Sequence, residues 1–572
     1  MSPSPGVFRR GSTRLSVSLV GCAPATLLAV LLAAGCASGG DGGPPVTSTG
    51  GKVGSGGTTV DGSGGSHAGS GGRTPEVGGT GGEVTTGGSS TGGAALPDGS
   101  GGRGGSVPQG GAPQGGGNAT GGVPPVSGGG TVIVNDTFWK DTTGQNIYSQ
   151  GGGVLRVGDT YYWYGYRYGN AATYATGTQT PIAAGVTTYS STDLINWKPE
   201  SVSMMANAGG WFGRLGVVYH AATKKYVLVA QGGGGLYFGT ADVPGGPFVY
   251  NNVQMTMPGV ATGKSGDQTM FQDDDGAAYV VASSSSGRSN RYLSPLRTSD
   301  FLAAEQAIPV YSGGGREGNC MFKYQGTYYY CSSDLHGWNT STTYCVSSSS
   351  IKGPWSAEFV LDGTQLDYSH VTQTGFFVTV KGTDATTIIF AGDRWADFAS
   401  NGIGYNQWMP LSFDGKTAHF HSLSKWSINA KAGTWAVAHG NNYVLNPSFE
   451  ADRVSVGVPT GWKGNGGRNL EGGTHSGRWT WQLSANGTLQ QQLTAIPPGT
   501  YTLSVWAKAS GAGGQLMAKG CGGADSTTPI PTATAYANVK SAPIMISGSN
   551  CTVSVSAGSA QVTVDDFVLA DE

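Results

Sequence analysis

The chain has 572 residues, room for more than one domain, with a formal net charge of −2 and only 12% charged residues. Ordinary globular domains carry about 25% charged residues, and so neutral a chain offers no electrostatic footprint for nucleic acid or an anionic lipid surface. The 101 glycines, and the lack of any sustained helical period, P-loop or dinucleotide fingerprint, leave a glycine- and tyrosine-rich all-β protein as the expectation.

In chain order, Arg9, Arg10 and Arg14 precede an apolar run that ends in Leu32-Ala33-Ala34-Gly35-Cys36. Its apolar core, residues 27–34, is too short for a spanning helix and reads as an export signal. The LAAGC segment resembles the bacterial lipobox, which implies removal of residues 1–35 and lipidation of Cys36; an ordinary secretory signal with an incidental cysteine is the plainer alternative. Residues 36–130 are almost wholly Gly, Ser, Thr and Pro and cannot bury enough surface to offset their conformational entropy. They are expected to form a disordered tether with an average reach of roughly 50–60 Å. The expected location is outside the cytoplasm, lipid-anchored to the outer membrane or cell surface, with no other membrane contact.

Between residues 155 and 392 a tight polar turn followed by a short aromatic or β-branched strand occurs five times, starting at Arg156, Ala221, Asp274, Tyr324 and Lys381. A spacing on the order of 50–65 residues fits one four-stranded propeller blade. The expectation for 131–439 is a five-bladed β-propeller, whose funnel gathers residues distant in sequence. Residues 441–572 have their own strand and turn punctuation, opening YVLNPSFE and closing QVTVDDFVLAD, and are expected to form a β-sandwich of jelly-roll type.

Export permits disulfides. A two-residue turn at Gln325-Gly326 would set Cys320 opposite Cys331, and Cys331–Cys345 across the next strand pair is an equal alternative. Cys521 and Cys551 are expected to staple the C-terminal module. No paired Cys/His spacing suggests zinc.

In the fourth repeat, Gly313-Gly314-Gly315-Arg316-Glu317 brings one carboxylate through a glycine-rich approach to the innermost strand. Desolvation there would raise its pKa, as a general acid requires, whereas pairing with Arg316 at the surface would leave it structural. The run REGNCMFKYQGTYYYCSSDLHGWN, with QGGGVLRVGDTYYWYG, YSSTDLINW, GDQTMFQDDDGAAY, HVTQTGFF, FAGDRWADF and YNQWMPLSF, resembles glycoside hydrolase family 43, most of all its exo-β-1,3-galactanase branch.

The resemblance implies Glu317 as general acid, Asp267 as the residue that tunes and orients it, and Gln373 where a water-activating group is expected. A turn cap is the plainer reading of Asp267, and a ladder residue that of Gln373. Gln150 stands where that branch has a histidine, and Phe212-Gly213-Arg214-Leu215 lacks the glutamate the branch carries before its Arg. No second catalytic carboxylate is evident. Trp338, with Trp163, Tyr164 and Trp395, could form a sugar platform, and Arg394 could reach the funnel; packing between blades is the alternative for each.

The C-terminal module resembles jelly-roll carbohydrate-binding modules through NPSFEAD and VDDF. That implies sugar stacking on Trp462, Trp479 or Trp481, the last two of which could equally be core. It also raises a structural Ca²⁺ beside Glu450 and Asp566, against exposed-turn carboxylates. The combined expectation is a monomeric polysaccharide hydrolase that inverts the anomeric centre and needs no cofactor. The alternatives are a non-catalytic glycan-binding lipoprotein and a family 43 enzyme acting on an arabinose-containing polymer.

Overall fold

A computed structural model describes residues 132–168, 183–203, 212–233, 235–336, 339–395, 404–452 and 456–571. The signal, Cys36, the tether and Trp338 lie outside the described residues. Among those described, no helix is long and apolar enough to cross a membrane.

Five four-stranded antiparallel sheets follow one another in chain order, each strand pairing with the next. Their innermost strands are Gln150–Val157, Phe212–His220, Ser265–Gln272, Glu317–Tyr324 and Gln373–Lys381. These adjoin in that order and the fifth returns to the first, closing a ring. Tight turns make the outward steps: Gln325 and Gly326 both have positive φ, 47° and 77°, as a two-residue hairpin demands.

A further, three-stranded sheet joins Val132–Val134 to Lys425–Asn429 and Thr434–Val437, tying the start of the domain to its end. The domain therefore has six blade-like sheets, not the five that the repeat announced. The extra sheet escaped the repeat because its strands come from the two ends of the domain and share no single hairpin unit. It packs with the first and fifth blades around Trp163, Trp197, Trp408 and Trp426, all fully buried. Trp163 and Trp408 meet edge to face at 5.1 Å.

Register within each blade departs from simple pairing near the start of the innermost strand. The irregularities fall between Gln150 and Gly153, Phe212 and Leu215, Ser265 and Gln268, Glu317 and Cys320, and Thr374 and Phe376. Such bulges re-aim side chains, and here they lie at the same end of all five strands.

The C-terminal strands form a nine-stranded, nearly closed antiparallel sheet around a core that includes Phe449, Trp462, Trp479, Trp481, Val505 and Phe567. Cys521–Cys551 is a disulfide, as is Cys331–Cys345, while Cys320 stays free and buried. The register does place Cys320 opposite Cys331, but Cys331 also faces Cys345 across the next strand pair and takes that partner. The module seats against the propeller through Ala451, buried among propeller side chains that include Tyr164 and Val371. Thr340 Oγ1 donates to the Ala451 carbonyl at 3.1 Å, and Gly440 N donates to Asp571 Oδ1 at 2.8 Å.

Candidate active site

The five bulges bring Glu317, Asp267 and Gln373 together with an arginine that binds two of them. Arg214, 4% exposed, donates from Nε to Asp267 Oδ2 at 3.0 Å, from Nη1 to Asp393 Oδ2 at 2.9 Å and from Nη2 to Gln373 Oε1 at 2.7 Å. Because a guanidinium only donates, this fixes which end of the Gln373 amide is oxygen. Gln373 Nε2 then donates to Glu317 Oε1 at 2.7 Å. The other Glu317 oxygen accepts from Arg288.

Glu317 opens the fourth blade's innermost strand and is almost wholly buried. Desolvation chiefly, and then the charge of Asp267, push its pKa up to about 7, against the opposing pull of Arg288, Arg214 and the Gln373 hydrogen bond. Asp267 Oδ2 also accepts from Gly318 N at 2.8 Å, so one carboxylate oxygen holds both Arg214 and the backbone just past the acid. Gly318 has φ 61°, and a Cβ there would lie 2.3 Å from the Thr374 carbonyl, which leaves glycine as the residue that fits.

Asp393 is fully buried, accepts from Gly151 N at 3.1 Å and Asn406 Nδ2 at 3.0 Å, and burial pushes its pKa up. It anchors Arg214 from the side away from Asp267. In the sequence Arg214 stood out only for the glutamate missing before it, and Arg288 and Asp393 were given no role. One signal could have found Arg214: the innermost strands start Gln-Gly-Gly, Phe-Gly-Arg, Ser-Gly-Asp, Glu-Gly-Asn and Gln-Thr-Gly. Aligned so, Arg214 takes the position of Asp267, and Glu317 takes that of Gln150 and Gln373.

The segment leading into Gln373 is unusual. Tyr368, Ser369, His370 and Val371 all have φ between 52° and 58°, one turn of left-handed helix built without glycine. Each such residue costs roughly 1–2 kcal/mol, and a β-branched Val is an outlier there. The turn is over-determined by its contacts. Asp367 Oδ1 accepts from His370 N at 2.9 Å, His370 Nε2 meets Asp136 Oδ2 at 3.1 Å, and Gln407 Nε2 donates to the His370 carbonyl at 3.0 Å. Burial opposes charge on this imidazole, but Asp136 and Asp367 outweigh it and push its pKa up to about 10.

The other expected residues divide. Gln150, buried, donates from Nε2 to the Arg394 carbonyl at 3.1 Å, and Arg394 Nη1 donates to Asp136 Oδ1 at 3.2 Å. Both therefore brace the site's rim from the first and fifth blades. Tyr164 is a correction: fully buried, it packs edge to face on Phe248 and donates to the Pro244 carbonyl at 2.9 Å, between blades and away from any sugar. Trp163 fills a blade interface likewise. The Trp395 side chain lies outside the described residues.

In the C-terminal module, Trp462, Trp479 and Trp481 are 5%, 4% and 1% exposed and belong to the core, so they cannot stack on sugar. Glu450 Oε1 accepts from Arg478 N and Trp479 N, and Asp566 from the Ser448 and Ser476 hydroxyls. These carboxylates are engaged as backbone and hydroxyl caps. Among the described residues no group of three or more His, Cys, Asp or Glu could hold a metal, so the Ca²⁺ expectation has no support.

A cavity of about 770 Å³ lies at the far end of the inner strands by Asp273, Lys323, Lys381 and Trp435. The acid–arginine cluster, not cavity size, marks the candidate active site.

Residues 153–358 match the model of the family described as Glycosyl hydrolases family 43. The fold is similar to that of exo-beta-1,3-galactanase from Phanerochaete chrysosporium, solved with beta-1,3-galactotriose: 22% identity over 77% of this chain and 100% of that one, TM-score 0.50. An exo-beta-1,3-galactanase from Clostridium thermocellum aligns at 24% identity over 63% of this chain and 86% of its own, TM-score 0.48. No curated protein matches the chain.

Proposed function

We propose that this chain, whose residues 153–358 match the model of glycosyl hydrolases family 43, is a glycoside hydrolase: an exo-acting, inverting enzyme of plant-type polysaccharide. The first substrate is β-1,3-galactan of arabinogalactan; an arabinose-containing polymer is the second. One observation carries the reading: the Glu317 carboxyl, buried in the cluster at one end of the strand ring, has its pKa pushed up to about 7. Near and below pH 7 a substantial share of such a group is protonated and can give its proton to a leaving glycosidic oxygen.

Glu317 transfers that proton as the bond from the anomeric carbon to the leaving oxygen breaks. Asp267 and Arg214 fix the geometry around it, and a water attacks the opposite face of the anomeric carbon, giving up its proton to surrounding water as the new C–O bond forms. Inverting enzymes place the two reacting groups roughly 6.5–9.5 Å apart to admit that water. Asp393 is enclosed by Gly151, Asn406 and Arg214 and has no path to it. Gln373 is the remaining candidate to orient the water, and to do so its amide must let go of Glu317. The galactan choice rests on the likeness of the Gln373 segment to the galactanase branch and on the galactotriose held by the similar fold.

Beyond the catalytic domain, the protein is held at the envelope by a lipid on Cys36 and the tether of residues 36–130, and the C-terminal module binds glycan. Incubation with β-1,3-galactan and with arabinan, comparing the native chain with Glu317→Gln, tests the enzyme reading. Sugar release should vanish in the variant and the first-formed anomer should be inverted; residual activity within a few-fold of native would overturn the assignment. Cys36→Ala should move the protein from the membrane fraction to the soluble one.

A further inference from the structure

Trp462, Trp479 and Trp481 belong to the core of the module. The module has four tryptophans, and the fourth is Trp506. Strand Gly499–Ala509 alternates cleanly in its second half: Leu503, Val505, Ala507 and Ala509 point into the core, while Ser504, Trp506 and Lys508 are only half-buried on the outer face. A large aromatic on the outer face of a sheet whose inner face is already filled does nothing for the core.

Trp506 has company on that face. Asn538, exposed, is its register partner on the edge strand Ala533–Lys540, and Tyr536, two residues earlier on the same face, lies under Lys508, whose Nζ is 4.4 Å from the ring centre. His475, from the loop before strand Trp479–Leu493, stacks on Trp506 at 3.9 Å and sits edge-on to Tyr536 at 5.7 Å. Asp566 Oδ2 meets His475 Nδ1, and Lys508 Nζ donates to the Gly473 carbonyl at 3.0 Å, so the patch has one acidic and one basic side chain beside it.

We propose that this patch of Trp506, Tyr536 and His475, rimmed by Lys508 and Asn538, is the module's binding site for a neutral polysaccharide chain. The axial C–H bonds of a pyranose are weakly positive and suit the negative face of an indole or phenol ring. Asn and Lys side chains beside the rings supply directional hydrogen bonds for the hydroxyls. A site with balanced charge gives no advantage to an anionic polymer or to nucleic acid, and an open sheet face takes a chain along its length, where the catalytic site takes an end. The inference rests on the reading of the module as glycan-binding and names the face that does it.

The test uses the full chain carrying Glu317→Gln, retained on immobilised β-1,3-galactan, arabinogalactan or arabinan. With Trp506→Ala added, affinity should fall at least tenfold, Tyr536→Ala should weaken it less, and Trp506→Phe should restore most of it, with unchanged melting. In the active chain, Trp506→Ala should lower the rate on insoluble polymer several-fold while leaving the rate on a soluble aryl glycoside unaltered. If the parent is retained and Trp506→Ala is retained equally, this face is not the site, although the module reading stands. If the parent is retained on none of the three polymers, the module reading and this inference both fall. Loss of self-association in Trp506→Ala, without loss of glycan retention, would make the patch a protein interface instead.

Discussion

Gln373 donates to Glu317 across 2.7 Å while its own carbonyl is held by Arg214. An amide so placed cannot orient a water on the face opposite the acid until that hydrogen bond opens. If Gln373 then positions the attacking water, Gln373→Ala should cost on the order of 10²–10⁴ in kcat. Because orienting the attacking water acts on the transition state rather than on the bound sugar, KM should change much less. Initial rates of sugar release over a range of substrate concentrations check this, and a loss in kcat under about tenfold would remove Gln373 from the mechanism.

The same acid sets the pH dependence. Its pKa is pushed up to about 7, and only the protonated form can donate, so kcat/KM should fall as pH rises through about 7. The charged groups facing it are Asp267, Arg288 and Arg214. Arg288 stabilises the carboxylate form, so Arg288→Gln should move this alkaline limb to higher pH. The rate at pH 8 should then rise relative to the rate at pH 6. An unmoved limb would mean that the ion pair opens before substrate binds.

His370 is expected to act through the left-handed turn it sits in. Its pKa in the fold, about 10, lies above the ordinary 6.5, so its contribution is fully present below about 6.5 and is lost as pH rises through about 10. Thermal melting should show the native propeller losing stability across that interval, and His370→Gln should be less stable at pH 6 and flatter across it. Kinetically, the variant should lose kcat more than it raises KM, because the turn delivers Gln373 and not the substrate. Equal melting curves for the two proteins across the interval would show that Asp136 and Asp367 do not need the imidazolium.

The blades were legible because each hairpin is local, a polar turn between two strands of aromatic and β-branched residues, and local pattern survives in sequence. The three-stranded sheet was not, since Val132–Val134 and Lys425–Asn429 pair across almost the whole domain. Glu317, Asp267 and Gln373 were legible through family likeness, and the bulges that converge them confirm that they are neighbours. Arg214 was legible only as the Arg of the branch pattern with its glutamate missing, and no role followed from that. Only the fold shows three partners on one guanidinium. Trp462, Trp479 and Trp481 were misread because alternation says which residues share a face of a strand, not whether that face looks inward.

The module offers a stability measurement of opposite sense to ordinary acid unfolding. Burial pushes the Glu450 carboxyl up to about 7, and burial together with the neighbouring Asp566 charge pushes Asp565 up to about 8, from ordinary values of 4.5 and 3.8. Both groups bind protons more tightly folded than unfolded. Their stabilising contribution is therefore complete below about pH 4 and is lost progressively as pH rises to about 8. Following Trp fluorescence or calorimetry, the transition that includes the module should shift downward between pH 5 and pH 8. Glu450→Gln keeps the carbonyl oxygen that caps Arg478 N and Trp479 N but cannot ionise, so it should melt higher than native at pH 8 and close to native at pH 5. If native and variant instead show the same dependence, Glu450 does not titrate differently in the folded and unfolded module, and this pH dependence does not come from it.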